Sequence, residues 1–250
     1  MEYVIYALML VLLVYVVYRN YVLIKAYRSN KEYIGCYQAL LKGEQDIHER
    51  IDSYIEAQKS EEGKNKGRLL KLYCELKEDK DYAENLEKLD LNSIFYSNGK
   101  ISKTKLNFNS DVFVWLFLCL GIARKNSKFD VLNKLAEKID GLNMDSRLEI
   151  NEARAIYNAL SENDISGVDF LNDILEGNYI DYEYDKNLIG LYKRFAACTL
   201  AYSGEPIEDY FREDIRGFAS TLVGQSYMKN LEIYEKYPPV VLENAEENKG

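Results

Sequence analysis

Apolar positions along this chain recur mostly at spacings of three and four residues, and the exception comes first. From Tyr3 to Tyr18 (YVIYALMLVLLVYVVY) sixteen residues pass without a charge, a glycine or a proline. As a helix that run spans roughly 24 Å, and extension through Arg19 and Asn20 to Ile24 gives about 33 Å, enough for a ~30 Å hydrocarbon core. Its ten Leu, Ile and Val residues, at about −0.5 kcal/mol each, outweigh one near-terminal arginine whose stem snorkels to the interface. Tyr3 and Tyr6 at one end and Tyr15, Tyr18 and Tyr21 at the other make an aromatic belt around a middle that holds Leu10 and Leu13. The pattern predicts a retained transmembrane helix.

Orientation follows from the flanks. Arg19, Lys25, Arg28 and Lys31 come after the segment, whereas only Met1 and Glu2 precede it. The excess of positive charge predicts an N-terminus outside the cell membrane, a single pass, and a cytoplasmic body. A cleavable export signal needs a basic leader and a small-residue cleavage site, and here Glu2 leads while tyrosines and charges follow. Residues 1–28 are therefore read as anchor and basic flank.

The remaining pattern is helical. Ile47, Ile51, Tyr54 and Ile55 form one stripe; Phe129, Leu132, Leu135 and Ile139 form a second. Ile207, Tyr210, Phe211, Ile215, Phe218 and Leu222 form a third. Val112 to Ala123 (VFVWLFLCLGIA) is apolar on every side and only 12 residues long, which predicts a central buried helix rather than a second span. Ser127 to Asp130, Ser146 to Glu149 and Ser166 to Asp169 each resemble a capping box, and Ser203 to Pro206 predicts a helix end followed by a new start. Ser127, Ser166 and Glu205 lie 39 residues apart, as if each interval held one antiparallel helix pair. The polar segment 90–109 reads as a long loop or insertion within a body of 29–236, and 237–250 as a disordered tail. The fold class is all-α: an N-terminal transmembrane helix, then stacked antiparallel helix pairs as an α-solenoid or an irregular bundle.

Helix pairs at intervals near 40 residues, with Trp115, Leu118 and Cys119 spaced W-x-x-L-small, resemble tetratricopeptide-type repeats from about Glu32 to Tyr234. Ile122 stands where that family usually has an aromatic residue. The resemblance implies a concave surface that binds proteins or peptides.

Composition narrows the partners. The net charge is −9. The first 139 residues hold 22 basic and 19 acidic side chains, and the rest hold 10 and 22. An acidic far half repels phosphate backbones, so no nucleic acid is expected, and basic protein surfaces are favoured. Four cysteines far apart, without a C-x-x-C pair, read as buried thiols in a reducing compartment. Only three prolines occur, the first at Pro206, in keeping with long helices.

Chemistry is sparse. His48 is the sole histidine and cannot build a multi-histidine metal site, so no metal, no cofactor and no catalytic residue is expected. Glu62 to Arg68 (EGKNKGR) lacks the phosphate-loop spacing and reads as a basic inter-helix loop, with Lys64, Lys66 and Arg68 joining Lys25 and Arg28 as candidates for facing anionic lipid. Tyr179, Asp181, Tyr182, Tyr184 and Asp185 form an acidic, tyrosine-rich segment suited to a protein partner, and a small-molecule ligand is not expected. The expected function is non-enzymatic: a helical scaffold tethered at the cytoplasmic face, with an accessory subunit assembled through its transmembrane helix as the alternative.

Overall fold

A computed structural model describes residues 30–97, 99–161 and 165–239, together with Asn20. The anchor segment, its flanking Lys25 and Arg28, and the tail from 240 lie outside the described residues. Among the described residues no helix is long and apolar enough to cross a membrane. Thirteen helices and one two-stranded hairpin occur there, so the body is all-α in character.

The centre is α7, Asp111–Lys125, in which every residue from Val112 to Ala123 is buried. A helix with no polar face must be surrounded, and this one meets α3 (Glu61–Lys77), α8 (Phe129–Asp140), α9 (Leu148–Leu160) and α13 (Leu222–Asn230). Asp111 in its first turn and Arg124 and Lys125 in its last complement the helix dipole. Trp115 lies at the seam, edge-on to Tyr37 at 4.9 Å and to Tyr73 at 5.3 Å. Tyr37 belongs to α1, residues 30–42, and Tyr33 of the same helix approaches Tyr54 of α2 (Ile47–Ala57).

Consecutive helices then pack as neighbours. α2 lies on α3, α9 on α10 (Ile165–Glu176), and α11 (Ile189–Ser203) on both α9 and α10. α3, α7, α9 and α11 follow one another in contact. α12 (Asp209–Ala219) meets α11 and α13, and α13 turns back onto α7. Its Tyr227 ring stands 4.6 Å from Phe195 of α11, its hydroxyl 2.8 Å from Thr199, and Asn230 donates to the Leu118 carbonyl.

Two segments differ from expectation. Residues 62–68 are not a loop but the start of α3, which runs unbroken to Lys77. Ser60 caps it by accepting from the Gly63 amide. A Cβ on Gly67 would come within 2.5 Å of Ile55 and 3.0 Å of Tyr54, so the glycine is there to let α2 approach, not to loosen the chain. The described residues of the segment 90–109 are likewise ordered: α5 (Leu91–Phe95), a hairpin of β1 (Tyr96–Ser97) and β2 (Lys100–Ile101), and α6 (Lys103–Phe108), preceded by α4 (Ala83–Lys88). Phe95 stacks on Phe113 at 5.2 Å and ties it to the core.

The expected caps are displaced. Ser127 has a positive φ outside α8, Ser146 precedes the Arg147 cap of α9, and Ser166 lies within α10. Gly204 does end α11 in the left-handed conformation, but α12 begins only at Asp209, beyond Pro206. α8 begins at Phe129 and α12 at Asp209, two and four residues beyond the signals at Ser127 and Glu205.

Candidate functional site

The tyrosine-rich segment between α10 and α11 is not a free loop; it is stapled onto the body. Glu183 donates its amide to the Ser146 carbonyl and accepts from the Leu148 amide, which pairs it in parallel with Arg147. Asp185 accepts from the Ser110 hydroxyl at 3.1 Å, and its own amide donates to Glu149 Oε1 at 3.0 Å. Three elements therefore fix the turn: the α8–α9 connection, the start of α7, and α9 itself.

Beneath it lies a buried ion pair. Arg147 Nε and Nη2 donate to the two oxygens of Glu149 at 3.1 and 2.8 Å, and both residues are buried. This two-pronged geometry matches the guanidinium fork to a carboxylate and offsets much of the cost of taking the charges out of water. The outer guanidinium nitrogens face the Asn107 side-chain oxygen at 3.5 Å, a longer and weaker approach. Arg147 thus forms the floor of a cleft of about 470 Å³, walled by Asn107, Tyr182, Tyr184 and Lys186. At its rim Ile180 is 85% exposed, the most exposed of the large apolar side chains among the described residues.

One helical turn beyond Glu149, Glu152 is fully buried, and neither carboxylate oxygen has a hydrogen-bond partner. Burial first and the neighbouring Glu149 second push its carboxyl well above the usual carboxylate range. Tyr192 shares this environment; burial and the Glu149 charge raise its hydroxyl far above the ordinary tyrosine value. A buried carboxyl and a buried phenol next to an ion pair form a low-dielectric interior rather than a solvent-facing surface.

The residues expected to contact a partner divide accordingly. Tyr182 and Tyr184 line the cleft, with Tyr182 edge-on to Phe170 at 5.6 Å and Tyr184 edge-on to Tyr179 at 5.3 Å. Tyr179 sits beneath the Lys193 ammonium, outside the cleft wall. Asp181 is exposed, whereas Asp185 serves the staple. Sequence reasoning missed Arg147, Asn107 and Ile180. The signal lay in Ser146 to Glu149 itself, whose opposite charges two residues apart looked like an ordinary helix start.

Of the basic residues assigned to lipid, Lys25 and Arg28 lie outside the described residues, Lys64 and Arg68 share Glu61, and Lys66 turns away from both. Lys66 is buried: its Nζ donates to Asn109 Oδ1 at 3.1 Å and lies 4.1 Å above the Tyr33 ring. Burial lowers its pKa, partly offset by Asp111 and Glu62. It fastens α1 to α3 and cannot face a bilayer. Lys64 pairs with Glu61 at 2.7 Å, and Arg68 donates to Asn65 and to the Lys88 carbonyl. The lone His48 is half-buried, with Nε2 2.9 Å from Glu78 and 3.2 Å from Lys80.

All four cysteines are buried and unbridged. Burial raises each thiol, Cys74 to about 12, so none is set up as a free nucleophile. No protein-family model, no curated protein and no solved structure matches this chain.

Proposed function

We propose that this chain is a membrane-tethered helical scaffold whose body binds a protein partner at the cytoplasmic face. The carrying observation is Ile180, an exposed β-branched side chain on a stapled turn beside a tyrosine-walled cleft. A rigid apolar protrusion next to aromatic walls suits a protein surface, because little conformational entropy is lost when it is covered. The succession of α3, α7, α9 and α11, each with a flanking helix, supports a tetratricopeptide-like array. In such arrays the inner face takes the ligand, but here α13 covers α7 and touches α11 through Tyr227. The partner therefore goes to the Arg147 cleft, with the acidic far half speeding the approach of a basic surface.

The sequence 3–24 supports the tether. An anchor turns the partner's search into a local event, so a modest contact suffices.

Photocross-linking in intact cells from a residue placed at Tyr182 tests this reading. A discrete adduct is expected with the otherwise native chain, and Ile180→Asp should remove it while leaving the helical circular dichroism intact. An adduct undiminished by that change would contradict the proposal.

A further inference from the structure

His48 and the pair Cys74 and Glu78 meet where the first turn of α2 lies against the last turn of α3. Cys74 and Glu78 are four residues apart, on one face of α3 and at its C-cap. The imidazole nitrogen, the thiol sulfur and a carboxylate oxygen all lie within 4.8 Å of one another. The thiol is buried, while the His48 and Glu78 side chains are 26% and 39% exposed, so an ion has a route in from solvent. A cation already sits at the edge of this group. Lys80 Nζ is 2.6 Å from Glu78 Oε2 and 3.2 Å from His48 Nε2.

We propose that His48, Cys74 and Glu78 form a divalent transition-metal site, best matched to Zn²⁺, which the metal enters by displacing the Lys80 ammonium. One sulfur, one imidazole nitrogen and one carboxylate oxygen are the donor types Zn²⁺ takes, and three protein ligands leave its fourth position to water. Ca²⁺ and Mg²⁺ demand oxygen ligands and do not fit a thiol. On binding, the Cys74 S–H bond breaks, the proton passes to solvent and a sulfur–metal bond forms, with no change of oxidation state. Lys80 is 55% exposed at its side chain and can swing clear. A single histidine is thus no bar to a metal site once a thiol and a carboxylate from the neighbouring helix converge on it.

The test is titration of the reduced full-length chain, in detergent, with Co²⁺ as the spectroscopic probe. One equivalent is expected to produce a near-ultraviolet thiolate-to-cobalt band that Zn²⁺ abolishes. Cys74→Ala should lose the band. His48→Gln should weaken binding by more than about tenfold, the scale already lost when only a ligand's outer partner is removed. Lys80→Met should move the midpoint to lower cobalt, because the competing ammonium is gone. Absence of the band in the native chain overturns the site. Because Cys74 is a core residue, His48→Gln, at a half-exposed position, is the deciding variant: an undiminished band there overturns it as well.

Discussion

Glu152 sets the pH behaviour at the scale of single residues. Its carboxyl is buried without a partner and held well above the unfolded value of about 4.3. Below that value both states are protonated. As pH rises past it, the unfolded chain releases the proton and the folded chain does not, so stability falls by up to about 1.4 kcal/mol per pH unit until the folded value is reached. Glu152→Gln cannot ionise. Urea unfolding of the full chain at pH 5 and pH 8 should therefore show a smaller loss of stability for Glu152→Gln than for the native chain, and equal losses would contradict this. Residues of this kind were poorly legible in the sequence. Arg147, Glu149 and Glu152 have the spacing of an ordinary charged helix start, and their burial comes from partners far along the chain. Glu183 and Asp185 arrive over Arg147 and Glu149 from more than thirty positions away, and α7, α10 and α11 pack around the helix that carries Glu152. Lys66 misled for the same reason, since nothing local announces that Tyr33 and Asn109 will enclose it.

Elements were more legible where one signal dominated. The all-apolar run 112–123 became the buried α7, because a helix without a polar face has only one stable environment. The stripe led by Ile47 and Ile51 also faces the core. Glycines were the weak point: Gly63 and Gly67 read as loop residues, yet both lie inside α3. Gly167 makes the same use of a missing side chain in α10, where a Cβ would come within 2.4 Å of the Ala155 carbonyl oxygen and 2.8 Å of the Ala159 nitrogen. Gly167→Ala must push α10 off α9 and should cost about 1–3 kcal/mol, the usual penalty for overpacking. Gly217, inside α12, has nothing within 4 Å of such a Cβ. Gly217→Ala should instead stabilise by about 0.5–1 kcal/mol through helix propensity. Thermal unfolding of the two variants checks both signs, and a shared sign would refute the assignment of Gly167 to close packing.

At the scale of the whole molecule, one helix closes back on the centre of the fold. α13 packs on α7, bonds Asn230 to the Leu118 carbonyl and sets Tyr227 against Thr199 and Phe195. α7 is thereby covered by α13, while the Arg147 cleft with Ile180 at its rim stays open to solvent. The sequence pattern conveyed the helical class, but a return contact from α13 to α7 leaves no periodic trace. The tether and the cleft together make the scaffold reading, and one measurement separates it from assembly through the membrane helix. Residues 3–24 are replaced by an unrelated apolar helix, and the photocross-link from Tyr182 is compared with that of the native chain in intact cells. The scaffold account predicts the same adduct from both. Loss of the adduct after the exchange would contradict it, and would make the Tyr3–Ile24 segment itself the surface that chooses the partner.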